Sequence, residues 1–99
     1  MSNHYIKKIK VRNRDGIHAR PSVKVVELAN EFSSDIYIVK DDLRVNGKSI
    51  LEVLTLAASY GTELTVEAVG DDAEEAANEV GVMLSTEFEF PHQDTSTSE

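Results

Sequence analysis

The sequence contains no cysteine and no tryptophan, and only two prolines in 99 residues. Without cysteine there is no disulfide and no thiolate metal site. The three histidines are widely separated, and none has a ligand-type neighbour three or four residues on, so no metal centre is expected. Nothing in the chain implies a cofactor. No apolar run approaches the roughly 20 residues that a helical membrane span needs. The first ten residues hold no continuous apolar segment of the signal-peptide kind, so a cytoplasmic location is expected. Positive charge is also scarce: ten Lys and Arg face eighteen Asp and Glu, for a net charge of -8. Such a surface repels nucleic-acid phosphates and argues against general nucleic-acid binding. The imbalance is uneven, however. Basic residues dominate before Arg20, and no Lys or Arg follows Glu63.

What is present suits one small core. Residues 5–12 read as a strand with Ile9 and Val11 on one face, and Asn13-Arg14-Asp15-Gly16 is turn chemistry. The spacing of Ser22, Val25, Val26 and Ala29 predicts a helix over 19–31. Strands follow at 35–40 and 43–45, with Asp41-Asp42 between them and Asn46-Gly47 after. A short helix starts near Ser49. Its stripe is Ile50, Val53, Leu54 and Ala57, with Leu51 and Leu56 outside it, making the helix apolar almost all round. Strict alternation of Leu64, Val66 and Ala68 with polar residues marks a strand over 62–69. A last helix over 72–87 places Ala73, Ala76, Ala77, Val80, Met83 and Leu84 on one face, and Asp71 with Glu74 suggests a capping box at its start. The order βαββαβα predicts an α+β domain of two layers, a four-stranded antiparallel sheet with one face covered by three helices. Residues 1–88 form this domain. The composition changes at Phe88, and 89–99 read as an acidic, Ser/Thr-rich, disordered tail.

The chemistry concentrates in Gly16-Ile17-His18-Ala19-Arg20-Pro21-Ser22. His18 stands where turn becomes helix. Pro21 suits a first helical turn, where its missing N–H loses no intrahelical bond. The free amides of that turn and the positive end of the helix dipole favour an anion beside His18, and Arg20 adds a planar cation suited to phosphoryl oxygens. The same field disfavours imidazolium and keeps the ring neutral and nucleophilic. The plainer reading is an ordinary solvent-exposed cap, and four residues alone do not separate the two. Ser22 belongs to the core stripe and is not read as a nucleophile; His4 and His92 read as solvated bystanders. A general-base enzyme finds no support, because no carboxylate pair or second histidine accompanies His18.

Ser49-Ile50-Leu51-Glu52 has the pattern of a capping box, which explains Ser49 structurally. Its alternative use is as a phosphorylation site. Leu51 and Leu56, outside the stripe, and Val23, which lies about a turn from His18, are apolar residues for which a docking surface beside His18 is one role.

Taken together, these segments resemble the HPr family of the bacterial phosphoenolpyruvate-dependent phosphotransferase system. Gly16-Ile17-His18-Ala19-Arg20-Pro21 is similar to its active-site signature and Asn46-Gly47-Lys48-Ser49-Ile50-Leu51 to its serine-site region. Tyr60-Gly61-Thr62 and Gly70-Asp71-Asp72-Ala73 match as well, so the likeness runs over 5–87. The resemblance implies an open-faced β-sandwich and a covalent carrier without a catalytic cycle of its own. It implies that His18 takes phosphate on Nδ1 from enzyme I and gives it to a IIA protein or domain, with Arg20 stabilising the phosphohistidine. It aligns Ser49 with the serine modified by HPr kinase/phosphorylase, and Val23, Ile50, Leu51 and Leu54 with the partner-docking patch of a monomer. Two departures stand out: the acidic tail extends past the usual family ending, and Val23 replaces a small polar residue. Kindred readings are an NPr-type carrier of the nitrogen-related branch and a regulatory binding module switched at Ser49.

Overall fold

A computed structural model describes residues 3–12, 19–56 and 58–86, with backbone alone over 19–21. Seven elements follow one another: β1 (Asn3–Lys10), α1 (Ala19–Ala29), β2 (Asp35–Lys40), β3 (Leu43–Asn46), α2 (Ile50–Leu54), β4 (Glu63–Gly70) and α3 (Ala73–Leu84). The four strands form one antiparallel sheet in the order β1-β4-β2-β3. This is the expected element order and architecture, with boundaries shifted by a few residues at most strands and helix ends.

Register explains why one face is buried. Ile9 pairs with Leu64, Ile36 with Ala68, and Ile38 with both Val66 and Val45. Because side chains alternate across a strand, these pairs all project to the same side. There they meet Val25 and Ala29 of α1, Val53 of α2, and Ala73, Ala76, Ala77, Val80 and Leu84 of α3 in a continuous core. The small residues of α3 let it lie close to the sheet. A Cβ at Gly81 would stand 3.0 Å from Lys7 Cδ and 3.3 Å from Ile9 Cγ2. The opposite face of the sheet carries Ile6, Lys8, Thr65, Glu67, Tyr37 and Arg44. The Arg44 guanidinium lies 3.7 Å from the centre of the Tyr37 ring and its Nε donates to Glu67 at 2.9 Å.

Two sequence expectations change. The α2 stripe is not the one inferred: Val53 and Leu56 are buried, whereas Leu54 is exposed. The helix closes after Leu54, with Thr55 N–H donating to Glu52 O and Leu56 N–H to Val53 O. These tighter i→i−3 bonds break the 3.6-residue periodicity and rotate Leu56 inward. Ala57, placed in that stripe, lies outside the described residues. At α3 the N-cap is Asp72 rather than Asp71, and its side chain makes no capping bond. Glu74 does not reach back; its carboxylate accepts from the Tyr5 hydroxyl at 3.4 Å. The tail expected over 89–99 also falls outside the described residues.

Candidate functional site

α1 opens at Ala19, the residue that follows His18 in the chain. His18 and the Asn13–Ile17 stretch before it lie outside the described residues, as does the Arg20 side chain. What the fold supplies around them is well defined. The first turn of α1 contains no acidic residue, so no carboxylate of that turn competes for its amides. The strand that leads into the His18 segment is fixed at its end by the Tyr60-Gly61 turn. Val11 N–H donates to Thr62 O at 2.9 Å, and Gly61 N–H donates to Val11 O at 2.8 Å. Gly61 takes φ +86, a conformation open to glycine, and leaves Tyr60 exposed beside this junction. Tyr60 was singled out only as part of a motif match; the turn it belongs to is what anchors the entrance to the His18 segment.

Ser22 is completely buried, as its place in the stripe required, and its hydroxyl has no hydrogen-bond partner among the described residues.

Ser49 caps α2. Its Oγ accepts from Glu52 N–H at 3.3 Å. The reciprocal half of the expected capping box does not form, because Ser49 N–H already donates to Asn46 O at 3.1 Å. The Glu52 carboxylate turns instead to Asn46 N–H at 2.9 Å. Asn46 Oδ1 in turn accepts from Lys48 N–H at 2.9 Å. Two further contacts tie this turn to the end of α1. Asn30 Nδ2 donates to Lys48 O at 3.2 Å as well as to Val26 O, and Lys48 Nζ donates to Phe32 O at 2.7 Å. Asn30 and Lys48 were not read as site-forming residues. An asparagine just past a helix end is a helix-stop signal, but its reach of eighteen residues to Lys48 has no local signature.

α1 and α2 pack against each other, and the pair carries the apolar residues picked out in the sequence. Val23 is 44% exposed, Leu54 37% and Leu51 75%. Ile50 is half-buried. Thus three of the four proposed docking residues face solvent on two helices in contact. Among the described residues no group of His, Asp and Glu is arranged to hold a metal ion, and no helix is long and apolar enough to cross a membrane.

Residues 6–86 match the family described as the PTS HPr component phosphorylation site. The HPr-like protein Crh of Bacillus subtilis is 41% identical over 80 residues, covering 81% of this chain and 94% of the relative. Phosphocarrier protein HPr of Treponema pallidum is 39% identical over 84 residues, covering 85% and 96%. The crystal structure of a phosphocarrier protein HPr from Bacillus anthracis superposes with a TM-score of 0.80 at 36% identity, covering 83% of this chain and 98% of that one.

Proposed function

Because the chain belongs to the HPr family of phosphocarriers, we propose that His18 is its phosphoryl acceptor, charged by phosphorylated enzyme I and discharged to a IIA protein or domain. Members of this family are carriers, not catalysts. The neutral imidazole Nδ1 attacks phosphorus; a P–N bond forms as the bond between phosphorus and the donor breaks, and the reverse exchange delivers the group onward. Arg20 and the free amides of the first α1 turn balance the added negative charge. The observation that carries the reading is the opening of α1 directly after His18 with no acidic residue in its first turn. Val23, Ile50, Leu51 and Leu54 form the docking patch for both partners, and the carrier works in the cytoplasm.

Incubation with phosphoenolpyruvate and enzyme I is expected to give an acid-labile, base-stable adduct that His18→Ala does not form. Equal labelling of His18→Ala would remove the assignment. Arg20→Ala is expected to slow transfer while leaving the fold intact.

A second, regulatory reading concerns Ser49. Ser49, half-buried as a residue, sits at the start of α2, on the helix that carries Leu51 and Leu54. Phosphorylation there, as by an HPr kinase/phosphorylase, adds about two negative charges to the docking surface. It would weaken enzyme I docking without touching His18. Ser49→Asp is expected to lower the transfer rate; an unchanged rate and unchanged enzyme I affinity would end this reading. The relatives named HPr and Crh favour the HPr branch over an NPr-type carrier.

A further inference from the structure

On the side of the helical layer between α1 and α3 lies a shallow groove of about 410 Å³. Leu28, Val82 and Met83 supply its apolar surface, and Asn78, Glu79 and Thr86 its polar border. Leu28 and Met83 are only partly buried against the core, and Val82 is 58% exposed. Val82 is therefore a large aliphatic side chain on the outer face of a helix whose other apolar residues are buried or, like Met83, partly buried.

We propose that Phe88 and Phe90 of this same chain fold back and occupy this groove. Three observations single out that occupant. Thr86 is both a border residue of the groove and the last described residue, so the segment beyond it leaves from the groove's own rim. That segment lies outside the matched family region, which ends at residue 86. Its composition is otherwise acidic and polar, yet two of the three phenylalanines of the whole chain stand at its start, in Glu87-Phe88-Glu89-Phe90-Pro91.

The reach is right. Phe88 stands two residues past Thr86, roughly 7 Å of extended chain, and Val82 lies one helical turn back, about 6 Å along the axis. Chains that leave a helix commonly return an apolar residue to its last turn. In extended form, residues 88 and 90 project to one side and 87 and 89 to the other. Both rings then face the groove while both carboxylates face water, away from Glu79. A tethered segment needs no association entropy of its own, since its effective concentration at an adjacent site is in the millimolar range. This gives the tethered rings an advantage over a second copy or a separate partner.

The contact is tested on the full chain with methyl-labelled Leu, Val and Met. Nuclear Overhauser contacts are expected from the Phe88 and Phe90 rings to the methyls of Leu28, Val82 and Met83, unchanged on tenfold dilution. The double variant Phe88→Ser/Phe90→Ser is expected to lose them, to shift those methyl signals selectively, and to lower Tm by about 4–8 °C. Because the substitutions lie outside the core, the fold survives and the comparison stays readable. Absence of the contacts together with an unchanged Tm overturns the proposal. So do contacts that vanish on dilution, which would assign the groove to a second copy.

Discussion

Asp72 stands at the N-cap of α3 but gives its carboxylate to the loop between α1 and β2. Oδ1 accepts from Ser34 N–H at 2.9 Å and from the Ser34 hydroxyl, and Oδ2 accepts from Ser33 N–H at 2.9 Å. The Ser34 hydroxyl and the two loop amides hold the acid well below its ordinary 3.8, at about 2, against the opposing effect of partial desolvation. The folded-state value is the lower one, so the unfolded chain binds the proton more readily. The stabilisation is fully present above the unfolded value and is lost as pH falls through about 2. Urea unfolding of the parent and of Asp72→Asn, run from neutral pH down to about pH 2, is expected to show a stability gap that narrows as acid is added. A gap of constant size would mean that the carboxylate charge contributes nothing.

Gly70 abuts the same loop. A Cβ there would lie 2.5 Å from Ser34 Oγ and 2.8 Å from Ser34 Cα, and the residue has φ +147. Backbone cannot move aside as a flexible side chain can, and an L side chain is strained at that φ. Gly70→Ala is therefore expected to cost about 2–3 kcal/mol. It should also raise the pKa of Asp72 by pushing Ser34 away, a shift readable from carboxyl NMR titration. Loss of stability with the Asp72 titration unmoved would place the damage elsewhere.

Much of this architecture was legible before any coordinates. Alternation in 62–69 and the alanine-rich stripe of α3 come from residues whose burial is decided by period alone, and both survive in detail. α2 did not, because a helix of five residues ends before a stripe can be defined, and the i→i−3 bonds at Thr55 and Leu56 decide which leucine turns inward. Asp72 and Ser34 illustrate a second limit. Asp71-Asp72 preceding Ala73 reads as a cap, yet hydrogen-bond donors nearly forty residues away outcompete the local amides. At the site, the exposure of Val23 and Leu51 followed from their failure to join a stripe, whereas Leu54, placed in the stripe, is exposed and Leu56, placed outside it, is buried. The Asn30 and Lys48 contacts that fix the Ser49 turn are non-local and left no trace in spacing.

Ser22 offers a direct test of the division between core and chemistry. Its hydroxyl is fully buried and has no partner among the described residues, so it carries a desolvation cost that no hydrogen bond from them offsets. Ser22→Ala is expected to leave stability unchanged or raise it by on the order of 1 kcal/mol. Phosphoryl transfer at His18 should proceed at the parent rate. A large loss of transfer with stability intact would instead give the hydroxyl a part in the reaction.

Leu51 and Leu56 are five residues apart and have opposite fates, which makes them a matched pair for separating docking from folding. Leu51 is 75% exposed, so Leu51→Ala removes little that the fold depends on and should alter stability by less than about 0.5 kcal/mol. If it is an anchor for enzyme I, the same change costs about 1–2 kcal/mol of binding, a roughly 5- to 30-fold loss in transfer efficiency. Leu56 is 1% exposed within the core. Leu56→Ala should therefore lose about 2–5 kcal/mol of stability. Below its lowered melting temperature it should still dock and accept phosphate, because its side chain contributes nothing to the surface. Chemical denaturation paired with enzyme I kinetics separates the two effects. If Leu51→Ala proves silent in transfer, the patch on α1 and α2 is not where the partner sits. The exposed apolar residues there would then need another explanation.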